Sequence, residues 1–134
     1  MTVLLDTSVV IDILRGHPGA ITYGRGLSEP PRCSEITRVE VVRGLRSEER
    51  RRTERLFGTF RWAGIDEAIA RRAGELGRRW RRSHTGLATA DLIVAATAEE
   101  LGLQLVTLNI RHFPMFPALR RPYEDPPDQP SPSA

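Results

Sequence analysis

Three carboxylate residues, Asp6, Glu40 and Asp91, stand where the sequence pattern predicts the ends of strands or the first turns of helices. Asp6 directly follows the apolar run Val3 to Leu5, which predicts a short buried strand. An ionised carboxylate is costly to bury unless another group pairs with it. Asp6 therefore caps a helix, holds a cation or takes part in chemistry.

Each of these acids also has a purely structural interpretation. Asp6 can cap the helix that begins after it. Glu40 completes a capping box with Thr37 in the segment TRVE. Asp91 follows the predicted helix start at Thr89, where a negative charge is favourable to the helix dipole. None of the three positions indicates catalysis by itself.

The elements that would position these acids alternate between strands and helices. Strands are predicted at Val3 to Leu5, at Arg32 to Ile36 and within LQLVTL, with helical patterns between them. This alternation predicts an α/β fold with a parallel sheet covered on both faces. Such sheets place their sites at the carboxyl ends of the strands. Asp6 follows the first strand and Asn109 follows the late one, so both are expected at that edge.

Carboxylates gathered at one edge repel each other. Two of them about 4 Å apart cost roughly 4 kcal/mol at an effective dielectric constant near 20. A hard divalent cation with oxygen ligands relieves this repulsion, and Mg²⁺ or Mn²⁺ is the expected ion. Beside a phosphodiester, such an ion can lower the pKa of water and stabilise charge on the phosphoryl oxygens. The acids therefore favour metal-dependent phosphodiester chemistry.

Length and composition predict one folded domain at residues 1–121 and a disordered tail at residues 122–134. The chain has 134 residues, of which 40% are hydrophobic, and its last part is rich in Pro, Ser and Asp. No apolar run approaches the roughly 20 residues of a membrane span. The N-terminus lacks the basic opening of a signal peptide. We expect a cytoplasmic protein without membrane association.

All twenty basic residues are arginines, and the formal net charge is +3. This excess of positive charge favours a polyanionic partner, although only weakly. Runs of arginine on predicted helices are read first as solvated faces, with phosphate contact as the functional alternative.

Other residue types that could do chemistry give little signal. The single cysteine, Cys33, allows no internal disulfide and no cysteine metal cluster. The histidines share no metal-ligand spacing, which argues against zinc; they are His17, His84 and His112. His112 follows the late strand and is a candidate for substrate contact. Asp12 is expected to face solvent or to pair with an arginine.

Four segments of the chain resemble the PIN-domain nucleases, and most closely the VapC toxins of bacterial toxin–antitoxin pairs: VLLDTSVVIDIL, TRVEVVRGL, TADLIVAATAEELG and LVTLNIRHF. The resemblance spans Val3 to Phe116. It implies a three-layer α/β/α sandwich with a mostly parallel sheet. It also implies an endoribonuclease dependent on Mg²⁺, with Mn²⁺ as a possible substitute. RNA would be the substrate, the protein would form a homodimer, and a cognate VapB-like antitoxin would block the site.

Residue by residue, the resemblance implies a first, second and third metal-binding acid at Asp6, Glu40 and Asp91. Thr7 and Ser8 match the hydroxyl positions that orient the first acid. The family often carries a fourth acid after the late strand, where this chain has Asn109, a neutral oxygen ligand at best. That departure weakens a full second metal site but leaves the first one intact.

Two other functions stay open at the level of sequence. A PIN-like module could bind RNA or a protein without cutting, but such a module is expected to have lost at least one of the acids. A phosphatase with an aspartyl nucleophile at Asp6 would need a second Asp two residues later, and position 8 is Ser.

Overall fold

The computed structural model describes residues 1–83 and 86–124, and it contains a four-stranded sheet in the order β3-β2-β1-β4. All three strand pairings are parallel, which confirms the predicted α/β class. The sheet consists of β1 (Val3–Leu5), β2 (Arg32–Ser34), β3 (Arg61–Ala63) and β4 (Gln104–Val106).

Helices cover both faces of this sheet. Because successive side chains of a strand point to opposite faces, β1 contributes Leu4 to one core and its neighbours Val3 and Leu5 to the other. The resulting three layers confirm the predicted α/β/α sandwich. The helices are α1 (Thr7–Leu14), α2 (Pro18–Arg25), α3 (Glu35–Arg43), α4 (Arg50–Phe57), α5 (Glu67–Trp80) and α6 (Thr89–Leu101).

Local signals set the limits of several elements. The carboxylate of Asp66 accepts a hydrogen bond from the Ile69 N–H at 2.9 Å and so caps α5. Gly102 ends α6 in the left-handed region at φ 63°. Ala95, Ala96 and Ala98 of α6 are almost fully buried in the core that also contains α5 and sheet residues, and the N-terminus of α6 lies at the cleft.

Strand β3 was not among the strands predicted from the sequence. In the structure a 3₁₀ turn at Ser47–Glu49 precedes α4, and Arg61–Ala63 pairs with β2. This three-residue strand begins with an exposed arginine and is too short to show the alternation of apolar and polar residues that marks a strand. Only the pairing with β2 makes this segment a strand.

The N-cap residue of α3 lies three residues earlier than expected, and this overturns the predicted capping box. The Ser34 hydroxyl accepts a hydrogen bond from the Ile36 N–H at 3.2 Å and caps the helix. Thr37 is therefore a fully buried residue within the helix. Glu40 lies beyond the first turn, so helix capping does not explain it.

The packed part of the chain extends past the predicted domain boundary at residue 121. Tyr123 donates a hydrogen bond from its hydroxyl to Asp12 Oδ2 at 2.9 Å, and its ring contacts His17 and Tyr23. Composition alone could not reveal this contact, because its partners lie about a hundred residues earlier. The rest of the predicted tail, residues 125–134, lies outside the described residues.

No helix in the described ranges combines the length and the apolar character needed to cross a membrane.

Candidate active site

The three predicted acids line one cleft of about 460 Å³ at the carboxyl edge of the sheet. Asp6 follows β1, Glu40 lies on α3, and Asp91 lies in the first turn of α6. Asn109, which follows β4, lines the same cleft. The structure thus brings together side chains from four separate parts of the chain at the carboxyl ends of parallel strands.

Asp6 is the most buried of these acids, with an exposed fraction of 3%. Its backbone N–H donates to the Val106 carbonyl at 2.9 Å, which continues the pairing of β1 with β4. Its carboxylate oxygen Oδ2 accepts hydrogen bonds from the Ser8 hydroxyl at 2.9 Å and the Thr107 hydroxyl at 2.8 Å. Asp6 occupies the N-cap position of α1 without capping it through its side chain. The capping interpretation of Asp6 is therefore wrong.

Thr7 holds the second acid rather than the first. Its hydroxyl donates to Glu40 Oε1 at 2.7 Å, and its oxygen lies 3.0 Å from Thr37 Oγ1. Of the two hydroxyl positions expected to orient Asp6, only Ser8 does so. The reason is geometric, because Thr7 is the first residue of α1 and faces α3.

Thr107 was missed by the sequence analysis, although it contacts the first acid directly. It is almost fully buried and also accepts a hydrogen bond from the Asn109 N–H at 2.9 Å. The Leu108 N–H donates to the Ser8 hydroxyl at 3.3 Å. The same two hydroxyls therefore fix the Asp6 carboxylate and the backbone that leads to Asn109. From the sequence, Thr107 lay inside the predicted late strand LQLVTL, so its hydroxyl gave no signal of a site; only the end of β4 at Val106 places it beside Asp6.

Asp91 lies in the electrostatic field of the other two acids. Burial raises the pKa of the Asp91 carboxyl above its ordinary value of 3.8, and the negative charge of Asp6 raises it further. His112 acts against this rise, since its Nδ1 lies 3.2 Å from Asp91 Oδ2, and the charge of Glu40 adds a smaller increase. Helix α6 starts at Thr89 with Ala88 as the N-cap, so the predicted Thr89 cap is displaced by one residue.

The donor set has the chemistry that a hard divalent cation prefers, since it consists of carboxylate, amide and hydroxyl oxygens. Both hydrogen bonds to the Asp6 carboxylate within the described residues fall on Oδ2, which leaves Oδ1 for another ligand. Residues 1–83 and 86–124 contain no group of three His, Cys, Asp or Glu side chains already close enough to hold a metal ion. A cation bound between Asp6 and Asp91 would therefore draw their side chains together.

Asp12 also lines the cleft, where it is partly exposed and accepts the Tyr123 hydrogen bond; within the described residues it forms no ion pair with an arginine. Arg15, one turn later on the same side, lines the cleft as well. Of the histidines, only His112 lines the cleft within the described residues, and His84 lies outside them.

The PIN-domain family model matches residues 3–116 of the chain. Two relatives from Mycobacterium tuberculosis match nearly the whole length. Ribonuclease VapC19 is 42% identical over 123 residues, which cover 90% of this chain and 98% of the relative. Ribonuclease VapC10 is 41% identical over 130 residues, which cover 96% of this chain and 98% of the relative.

Among solved structures, a toxin–antitoxin complex from Klebsiella pneumoniae contains a chain similar to this one, with a TM-score of 0.79 and 30% sequence identity. The match covers 92% of this chain and 99% of that chain.

The raised pKa of Asp91 predicts how stability depends on pH. A carboxyl whose pKa is higher in the folded state stabilises the fold below its unfolded pKa, and this contribution is lost as the pH rises through the folded pKa. We therefore expect Asp91→Asn to gain stability relative to wild type as the pH rises from below 3.8 to neutrality. Urea unfolding of both proteins across this range, with chelator present, measures the difference.

The matched control is Glu67→Gln, which removes one charge from an exposed carboxylate that pairs with Arg71 on α5. It should show no such gain. A stability difference between wild type and Asp91→Asn that stays constant with pH would contradict the interpretation.

Proposed function

This chain belongs to the PIN-domain family, and we propose that it is the ribonuclease toxin of a toxin–antitoxin pair. Its reaction would be the metal-dependent cleavage of RNA phosphodiester bonds. The observation that carries the proposal is the convergence of Asp6, Glu40 and Asp91 on one cleft. Two relatives named as ribonucleases, 41–42% identical over nearly the whole chain, support the same activity. A binding module without catalysis would not need all three acids.

The proposed cofactor is Mg²⁺, with Mn²⁺ as a possible substitute. Asp6 and Asp91 would hold it, with Glu40 and Asn109 as further oxygen donors in the same cleft. When bound, the ion supplies a positive charge that activates the attacking water and stabilises the phosphoryl oxygens.

The chain's own contribution is the orientation of the acids before substrate arrives. Ser8 and Thr107 hold one oxygen of Asp6, and Thr7 holds Glu40, so neither carboxylate has to be ordered during the reaction. His112 holds Asp91 from the exposed side of the cleft, where its ring can also contact the RNA. Orientation fixed in advance lowers the entropic cost of reaching the reactive geometry.

The proposed partner is a VapB-like antitoxin encoded alongside the toxin. The similar Klebsiella pneumoniae structure is a toxin–antitoxin complex, and it supports this assignment. A cleft lined by several carboxylates attracts a cation, so the antitoxin would block it best with an arginine side chain. The homodimer and the cytoplasmic location stay predictions from the sequence.

We expect Asp6→Asn and Asp91→Asn each to abolish cleavage while the protein stays folded, because each removes a proposed metal ligand. Glu40→Gln should also lose most activity. The measurement is incubation with a total RNA pool in Mg²⁺ or in chelator, followed by mapping of new 5′ ends. Glu67→Gln makes the same chemical change on the exposed face of α5 and should cut like wild type. Cleavage near the wild-type rate by Asp6→Asn or Asp91→Asn would refute the assignment.

A second expectation concerns the metal and Asn109. Binding of Mg²⁺ to the folded state alone should raise the melting temperature, with about 2.7 kcal/mol of stabilisation at a hundredfold excess over the Kd. The rise should be smaller in Asp6→Asn. Asn109→Asp adds a fourth charge, so it should tighten binding of a second ion and destabilise the metal-free protein. Calorimetric titration with Mn²⁺ decides this, and two tight sites in wild type that Asn109→Asp leaves unchanged would contradict it.

A third expectation concerns the antitoxin. The chain purified together with the product of the neighbouring gene should form a stable complex and should cleave RNA far more slowly than the chain alone. Cleavage assays at increasing ratios of the two proteins measure the inhibition. Equal activity at a stoichiometric ratio would count against the toxin–antitoxin assignment without affecting the nuclease assignment.

A further inference from the structure

A second cavity of about 400 Å³ adjoins the acidic cleft and has the opposite charge. The two cavities share Leu108, Asn109 and His112, so one short segment of chain forms the wall between them. We call this second cavity the basic annex. Its lining is Leu108, Asn109, Ile110, Arg111, His112 and Arg121.

The described lining of the basic annex contains two arginines and no carboxylate. Arg111 and Arg121 are both exposed. Within residues 1–83 and 86–124, no ion pair involves Arg111. A guanidinium group is planar and always charged, and it matches the oxygens of a phosphate with two parallel hydrogen bonds. The charge and the donor geometry therefore fit a phosphate group.

The wall between the cavities is a firmly held 3₁₀ turn at Ile110–His112. The His112 N–H donates to the Asn109 carbonyl at 2.9 Å, and the Phe113 N–H donates to the Ile110 carbonyl at 3.1 Å. Phe113 is almost fully buried and anchors the turn to the core. Two consecutive residues of this turn have contacts in different cavities. His112 contacts Asp91 in the acidic cleft, and Arg111 lines the basic annex.

We propose that the basic annex binds the backbone phosphate next to the scissile phosphodiester and so sets the position of the RNA strand in the cleft. This inference rests on the proposed function, since it requires an RNA strand in the acidic cleft. The carboxylates there repel every phosphate that is not neutralised by a cation. A neighbouring phosphate must leave the acidic cleft, and the basic annex is the adjoining cavity whose arginines attract it.

Arg111 is the residue that this proposal singles out, because its backbone is fixed relative to the acids. Thr107 and Ser8 hold both the Asp6 carboxylate and the backbone amides just before the turn. The spacing between the Arg111 backbone and the cleft is therefore set by the same hydroxyls that orient Asp6. A strand held at Arg111 would present one particular phosphodiester to the acids.

The test measures the salt dependence of RNA binding, which counts phosphate contacts. A ten-nucleotide oligouridylate is titrated with metal-free protein in chelator at several salt concentrations. Each phosphate contact to a single strand contributes a slope of about 0.7 in log K against log salt. We expect Arg111→Gln to weaken binding and to reduce the slope by about 0.7, whereas Arg111→Lys should retain most of the slope.

The matched control is Arg61→Gln, which removes the same charge at the first residue of β3, on the opposite edge of the sheet from the cleft. It should leave the slope unchanged. Equal slopes for wild type and Arg111→Gln, an equal loss in Arg61→Gln, or no measurable binding by wild type would each overturn the proposal. This assay needs no cleavage. Wild-type protein that binds RNA but never cuts it in Mg²⁺ would refute the proposed function. The difference in slope between wild type and Arg111→Gln would still decide whether the basic annex binds a phosphate.

Discussion

Burial of a carboxylate at the end of β1 is the constraint on which the site depends. A buried charge is stable only when hydrogen bonds replace the lost water, and Asp6 obtains two of them from hydroxyls at opposite ends of the sequence. One hydroxyl belongs to α1 and the other follows β4. These two hydrogen bonds to the Asp6 carboxylate therefore fix the start of α1 against the segment that leads to Asn109. The cleft takes its shape from this contact.

A second consequence is that the cleft is electrostatically strained without a cation. Burial raises the pKa of Asp91 most, and the charges of Asp6 and Glu40 raise it further, because the folded chain keeps these like charges closer together than the unfolded chain does. A ligand that binds only the folded state stabilises it and so offsets the free energy lost to this repulsion. The proposed metal ion and the proposed antitoxin cation would both relieve the same repulsion, so they would compete for one place.

The turn that follows β4 separates two environments of opposite charge. His112 lies against Asp91 on one side, and Arg111 lines the basic annex on the other. A polyanion that crosses this turn meets carboxylates and guanidinium groups within a few residues of chain. Such an alternation gives a strand a preferred position along the cleft, which uniform positive charge could not do.

The sequence by itself determined the features that depend on interactions between residues close together in the chain. The buried run before Asp6 predicts β1, and Gly102 predicts the end of α6, since both signals are confined to neighbouring residues. Gathering of the acids at one sheet edge also follows from the alternation of strands and helices. Only the tertiary structure decided which hydroxyl serves which acid, and it joined Thr107 to Asp6 and Tyr123 to Asp12. These partners lie more than a hundred residues apart, and a hydrogen bond between them leaves no periodicity or capping pattern in the sequence, because it forms only after the sheet has brought the two segments together.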